Sequence, residues 1–140
     1  MKRVLALDVG EKRIGLAVSD PLGFTAQGIE TYTRAGDIER DVLYIINLAR
    51  KYAPVRLLFG MPRNMDGSYG FQSQRVKEFA DVVLQGWGGE HAFFDERLTT
   101  VSAERVLSAA EVKGQKRRGV VDKLAAVIIL QGYLDSNPNL

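Results

Sequence analysis

The 140-residue chain has no cysteine, one histidine (His91) and one tryptophan (Trp87). Without cysteine there can be no disulfide and no thiolate metal site. A single histidine leaves the common zinc ligand sets short of donors. A metal ion in this chain must therefore be held by carboxylates, which points to Mg2+ or Mn2+. The lack of disulfides fits a cytoplasmic location. No apolar stretch approaches the ~20 residues of a membrane span. The apolar run after Met1-Lys2-Arg3 stops at Asp8, too short for a signal peptide. No membrane partner is expected.

Charge of one sign is also scarce. Nineteen basic residues face seventeen acidic ones, for a formal net charge of +2 and a sequence pI near 9.0. That is a faint indication of an anionic partner. An apolar fraction of 46% and a charged fraction of 26% describe an ordinary globular chain. Its length suits one domain, residues 1–140, with a real core.

The informative segment is the opening, Leu5 to Asp20. A continuous apolar run, Val4 to Leu7, reads as a strand covered on both faces. Such a strand rarely carries a charge by accident, because a buried unpaired carboxylate is costly. Asp8 should therefore sit where the strand emerges, facing something cationic. Gly10 and Gly15 allow a tight turn and close approach to a ligand. Residues 3–9 and 13–19 form an expected antiparallel hairpin, and 24–33 a third strand. Asp37 is placed to cap a helix over 38–52, with Val42, Ile45, Ile46 and Ala49 at helical spacing. Val55–Phe59, apolar apart from Arg56, reads as a short strand, and Arg63–Ser68 as a turn-rich loop, either a substrate-facing lid or a structural turn. A helix over Phe71–Gln85 and a strand over His91–Phe94 follow. Phe71 and Trp87 read as packing residues. A helix from Thr100 or Ser102 to about Val112 leads to a basic, glycine-flanked loop. The last helix, from Val120 to about Leu134, is apolar almost all round and should be buried. A hairpin meander followed by βα units predicts an α/β fold, a five-stranded mixed sheet flanked by helices.

Three carboxylates fall at element ends: Asp8, Glu96 with its neighbour Asp95, and Asp122 in the first turn of the last helix. Each has an ordinary explanation alone. Asp122 could complement a helix N-terminus, and Asp95 or Glu96 could pair with Arg97. Together they point elsewhere. The carboxyl ends of parallel strands converge on one sheet edge, where ligands bind. Clustered carboxylates repel, so the set calls for divalent cations. Two ions roughly 4 Å apart form the clamp used for in-line phosphoryl displacement. Cleavage of that kind leaves a 5′ phosphate and a 3′ hydroxyl and needs no side-chain base.

These residues carry a resemblance to a known family. Asp8-Val-Gly-Glu-Lys-Arg-Ile-Gly-Leu-Ala-Val-Ser-Asp20, Gly60-Met-Pro-Arg-Asn-Met-Asp-Gly67, Asp95-Glu-Arg-Leu-Thr-Thr100 and Val120-Val-Asp-Lys-Leu-Ala-Ala126 occur in order. With them the chain resembles the RuvX/YqgF family over nearly its whole length. Members are described as Holliday-junction resolvases and as nucleases maturing the small-subunit ribosomal RNA precursor. The resemblance implies an RNase H-like nuclease domain with Asp8, Glu96 and Asp122 as catalytic, metal-binding acids, and Asp95 as the alternative to Glu96. It implies cytoplasmic action in 16S rRNA processing, ribosome biogenesis or DNA recombination. The related RuvC-type resolvases carry an acid on the strand that here ends Phe59-Gly60-Met61-Pro62, and another where this chain has Ala125.

Nucleic acid is the expected partner: single-stranded or structured RNA, or branched DNA. Lys12, Arg13, Arg63, Asn64, Arg97, Lys113, Lys116, Arg117 and Arg118 are the candidate contacts, which would position substrate without reading sequence. The same charges could instead be solvated surface. Symmetric cutting of a four-way junction would require a homodimer. Two rivals remain on sequence grounds. One is a nucleic-acid-binding scaffold without catalysis, which the presence of all three acids opposes. The other is an actin-like ATP-binding module, which requires a second lobe with its own Asp-x-Gly hairpin that this chain lacks.

Overall fold

The computed structural model describes residues 3–54, 56–62, 68, 70–96 and 115–136, with side chains in the last segment from Lys123 onward. β1 (Val4–Val9) and β2 (Arg13–Ser19) form the expected hairpin, and β2 pairs antiparallel with β3 (Ala26–Thr33). After α1 (Ile38–Tyr52), β4 (Arg56–Met61) returns parallel to β1. After α2 (Phe71–Gly86), β5 (Glu90–Asp95) adds parallel to β4. The sheet order is β3-β2-β1-β4-β5, closed on one face by α3 (Gln115–Ser136).

The pleat divides the core in two. Leu5, Leu7, Val9, Leu57, Phe59 and Met61 point to α1 and α2, packing on Ile45, Val76 and Phe79. Val4, Ala6, Ala17, Leu58 and Phe94 point the other way, onto Ala126, Ile129, Leu130 and Tyr133 of α3. β1 is buried on both faces, which is why Val4 to Leu7 is apolar without alternation.

Local chemistry sets the boundaries. Asp37 accepts a hydrogen bond from the Glu39 N–H at 3.0 Å and so caps α1. Ala53 closes α1 in the left-handed region (φ 48°), and Pro54 prevents continuation. Asp20 organises the β2–β3 turn by accepting N–H groups from Leu22, Phe24 and Thr25, which delays β3 to Ala26 rather than residue 24. Gln131 of α3 clips that turn by accepting the Ala26 N–H at 3.0 Å and donating to the Phe24 carbonyl at 3.2 Å. At the same end Arg56 donates to Tyr133 Oη at 2.6 Å and to Glu90 at 2.7 Å.

Two expectations need correction. α3 starts at Gln115, so Lys116, Arg117 and Arg118 lie in its first turn rather than in a loop. Gln, Lys and Arg are good helix formers, and one glycine at position 119 costs only about 1 kcal/mol in a helix. Phe71 is 87% exposed and belongs to neither core cluster, standing as the first residue of α2. Trp87 does pack against the α1/α2 side. The expected helix from Thr100 or Ser102 to Val112 lies outside the described residues. No described helix is long and apolar enough to cross a membrane.

Candidate active site

The carboxyl ends of β1, β4 and β5 lie side by side, since all three run parallel. Asp8 is the penultimate residue of β1. The pleat that sends Leu7 and Val9 toward α1 and α2 turns Asp8 toward α3, on the face of Val4 and Ala6. On one side Asp8 is in register with Gly15 of β2. On the other side Gly60 follows Phe59, the partner of Leu7. Asp8 therefore stands between two positions without side chains, which leaves open space beside its carboxylate.

Glu96 occupies part of that space. It follows β5 directly and shares the α3 face with buried Phe94, two residues earlier. A Cβ added to Gly60 would lie 3.0 Å from Glu96 Oε1 and 2.6 Å from Ile129 Cδ1. A side chain at 60 would have to push both of these tips aside, so glycine there leaves room for the Glu96 carboxyl over β4 beside Asp8. Asp8 and Glu96 lie within hydrogen-bonding reach of each other, and two carboxyls so placed share a proton or a cation. Burial is the main cause pushing the Glu96 carboxyl above its ordinary value; the hydrogen bond with Asp8 pulls it down, and the charge of Asp95 pushes it up again.

The geometry thus separates the two neighbours that the sequence leaves as alternatives. It brings Glu96 against Asp8. Asp95 lies two residues beyond Phe93, whose ring meets Phe59 on the α1/α2 side, and acts on Glu96 through its charge. Position 122 lies in α3, four residues before buried Ala126; its side chain is outside the described part. Among the described residues no three His, Cys, Asp or Glu side chains converge as a metal-binding group.

Of the expected phosphate contacts, Lys12 is exposed in the β1–β2 turn and Arg13 is half-buried at the start of β2. The turn is tight: the Gly10 N–H donates to the Arg13 carbonyl at 2.8 Å, and a Cβ on Gly10 would meet that same oxygen at 2.8 Å. It is also fastened from outside. The Arg34 N–H donates to the Lys12 carbonyl at 2.9 Å, and Arg34 Nη1 donates to the Gly10 carbonyl at 3.0 Å. Lys116, Arg117 and Arg118 lie on the α3 backbone, while Arg63, Asn64, Arg97 and Lys113 fall outside the described residues.

Two residues of this region escaped the sequence reading. In the sequence Gly60 heads a family motif and marks the place of a missing acid, and as a glycine closing an otherwise bulky strand it also signals close approach. Arg34 carried no motif. Its partner Asp41 gave a usable signal: it sits one helical turn before Ile45, in the core-facing stripe of α1.

The family model described as RuvX, Holliday junction resolvase, matches residues 2–136. A protein of Clostridium acetobutylicum named as a candidate pre-16S rRNA nuclease is 48% identical over 134 residues, covering 96% of this chain and 98% of the relative. A Clostridium tetani protein of the same name is 44% identical over 134 residues, covering 96% of each. Among solved structures, Thermus thermophilus RuvC in complex with a Holliday junction substrate matches with a TM-score of 0.58 at 12% identity, covering 97% of this chain and 96% of that one. A second Thermus thermophilus RuvC structure matches with a TM-score of 0.56 at 10% identity, covering 98% and 96%. At those identities the likeness is one of fold, the RNase H-like arrangement of five strands and flanking helices.

Proposed function

The chain belongs to the RuvX family, and from that membership we propose that it is a nuclease hydrolysing phosphodiester bonds of nucleic acid, acting in the cytoplasm on the 5′ end of the small-subunit rRNA precursor. The clostridial relatives' name favours the RNA precursor; the family description keeps a four-way DNA junction as the second substrate to test.

The observation that carries the reading is the Asp8–Glu96 carboxyl pair over Gly60, at the convergent ends of parallel strands. Two carboxyls pressed together must share a proton or a cation. Their donors are hard oxygens only, which fits Mg2+ or Mn2+. Asp8 and Glu96 would hold the ion, with Asp122 of α3 as the third acid. When bound, the ion supplies a water of lowered pKa and positive charge opposite the leaving oxygen.

The chain's own residues do the remaining work. Asp8, on a strand buried on both faces, fixes one carboxylate against a rigid sheet. Gly60 and Gly15 keep the adjoining floor clear so a phosphodiester can come close. Lys12 and Arg13 present charge to the flanking phosphates, and Lys116, Arg117 and Arg118 of α3 are the further candidate contacts.

The test uses purified protein with labelled single-stranded RNA, an RNA carrying the precursor 5′ end, and a four-way DNA junction, each in Mg2+ or Mn2+, beside Asp8→Asn. Cleavage of at least one substrate is expected, leaving 5′ phosphate and 3′ hydroxyl ends, with Asp8→Asn slower by about 100-fold or more, since even groups outside the coordination shell cost 10–100-fold. Salt-sensitive binding of every substrate without cleavage would overturn the reading.

A further inference from the structure

On the face of the sheet away from the Asp8 carboxylate, a cleft of about 750 Å³ opens between the β1–β2 turn, the start of α1 and the first turns of α2. Its cations are Lys12, Arg34 and Arg75; its acids are Glu11, Asp37 and Asp41. These charges are not equally available. Arg34 and Asp41 are paired at 2.8 Å, with the Asp41 side chain 1% exposed. Asp37 caps α1 and lies 3.9 Å from Arg40 Nε. Among the described residues neither Lys12 nor Arg75 forms an ion pair. Two cations therefore face the cleft with Glu11 as the one opposing charge that has no such engagement.

The place of the cleft gives it a meaning. Lys12 is four residues beyond Asp8, and its backbone is fixed through the Arg34 N–H. Arg75 comes from α2, a different element, anchored where the Ser73 hydroxyl donates to the Pro62 carbonyl at the end of β4. A polymer bound across Asp8 and leaving over the rim of the β1–β2 turn would descend between these two side chains. A free-standing surface lysine would be mobile; here both cations are mounted on elements locked to the sheet.

We propose that this cleft is a second phosphate site, in which Lys12 and Arg75 hold a backbone phosphate of the bound strand away from the scissile position. The proposal rests on the nuclease reading and extends it: substrate crosses the sheet edge from the α3 face to the α1/α2 face, so recognition requires a strand long enough to do both. Arg75 was not among the residues the sequence suggested.

The experiment measures binding by fluorescence anisotropy, with labelled single-stranded RNA of two lengths titrated at several salt concentrations. Asp8→Asn is the parent, so that nothing is cut. Adding Arg75→Ala should weaken binding of the longer RNA several-fold and lower the salt slope by about one, the signature of one lost phosphate contact. Arg75→Glu should weaken it further. Lys12→Ala, on an exposed turn where folding is not at stake, should reproduce the loss of slope. The shorter RNA should bind the parent and both Arg75 variants alike. Equal affinity and slope in the parent, Arg75→Glu and Lys12→Ala would overturn the proposal, as would a parent that binds no RNA. Cleavage by the chain with Asp8 intact is scored separately. If it cuts and the variants bind and cut like it, the cleft reading fails while the nuclease stands. If it cuts nothing yet the slope falls as expected, the nuclease reading fails while the cleft stands.

Discussion

Arg34 holds Asp41 through Nε at 2.8 Å inside the stripe of α1 that faces the core. The same carboxylate accepts the Tyr32 hydroxyl and the Ala35 N–H, both at 2.9 Å. Arg34 also lies 5.1 Å from the Phe79 ring centroid, and so joins the β1–β2 turn, α1 and α2.

Burial pushes the Asp41 carboxyl up, but the hydrogen bonds from Ala35, Arg34 and Tyr32, with the charge of Arg34, outweigh it and leave it below its ordinary value of 3.8. A depressed folded value stabilises the fold above the unfolded value, and that stabilisation is lost as pH falls through the folded one. Asp41→Ala should cost roughly 3 kcal/mol at neutral pH, the range for breaking a buried pair. Denaturant titrations at several pH values should show the gap between the two proteins closing as pH drops below 3.8. A constant gap would contradict the assignment.

Gly60→Ala tests the floor beneath Glu96. The new methyl meets Ile129 Cδ1 and Glu96 Oε1. Overpacking should destabilise by about 1–3 kcal/mol, and a shift of the carboxyl near 1 Å should lower cleavage by about 100-fold. Adding Ile129→Val removes the Cδ1 methyl. The double variant should regain much of the lost stability, read by thermal denaturation, and little of the activity, because Glu96 is still displaced.

The pairing of the Asp8 and Glu96 carboxyls should show in stability as well as in catalysis. In chelator at neutral pH, Asp8→Asn should raise Tm, because an amide can donate to Glu96 where two carboxyls would have to hold a proton between them. With increasing Mn2+ the parent's Tm should climb as the ion binds the folded state, while that of Asp8→Asn stays flat. A parent whose Tm ignores the ion would speak against a cation between these carboxyls.

Two phenylalanines of α2 should behave oppositely. Phe79 is 1% exposed and Phe71 is 87% exposed. Phe79→Ala should cost about 3–5 kcal/mol, whereas Phe71→Ala should change stability by no more than about 0.5 kcal/mol. Chemical denaturation of both variants checks this.

What the sequence made legible were features with local causes. The Asp37 cap and the stripe from Val42 to Ala49 placed α1 over residues 38–52, as observed. The apolar run to Asp8 placed the acid at a strand end. Less legible were features set by distant partners. Whether Asp95 or Glu96 turns toward Asp8 depends on the pleat of β5 against β4, although Phe94 and Glu96 already share a phase in the sequence. The bareness of Gly60 matters only because Ile129 and Glu96 arrive above it. Glycines at 114 and 119 suggested a loop, yet α3 already begins at Gln115, within the run they flank.

The parallel pairing of β1 with β4 has a consequence in time. β1, β2 and β3 are joined by short turns and can zip together as soon as they exist. β4 cannot reach β1 until the chain has crossed back through α1, and β5 waits for α2. Asp8 is thus synthesised early and set in a finished hairpin, while Glu96 arrives 88 residues later. A ribosome-bound or truncated chain carries half a blade. On the proposed reading the edge is assembled only once β5 has docked beside β4, so the fold itself would serve as the safety catch on a cutting tool that is made amid RNA.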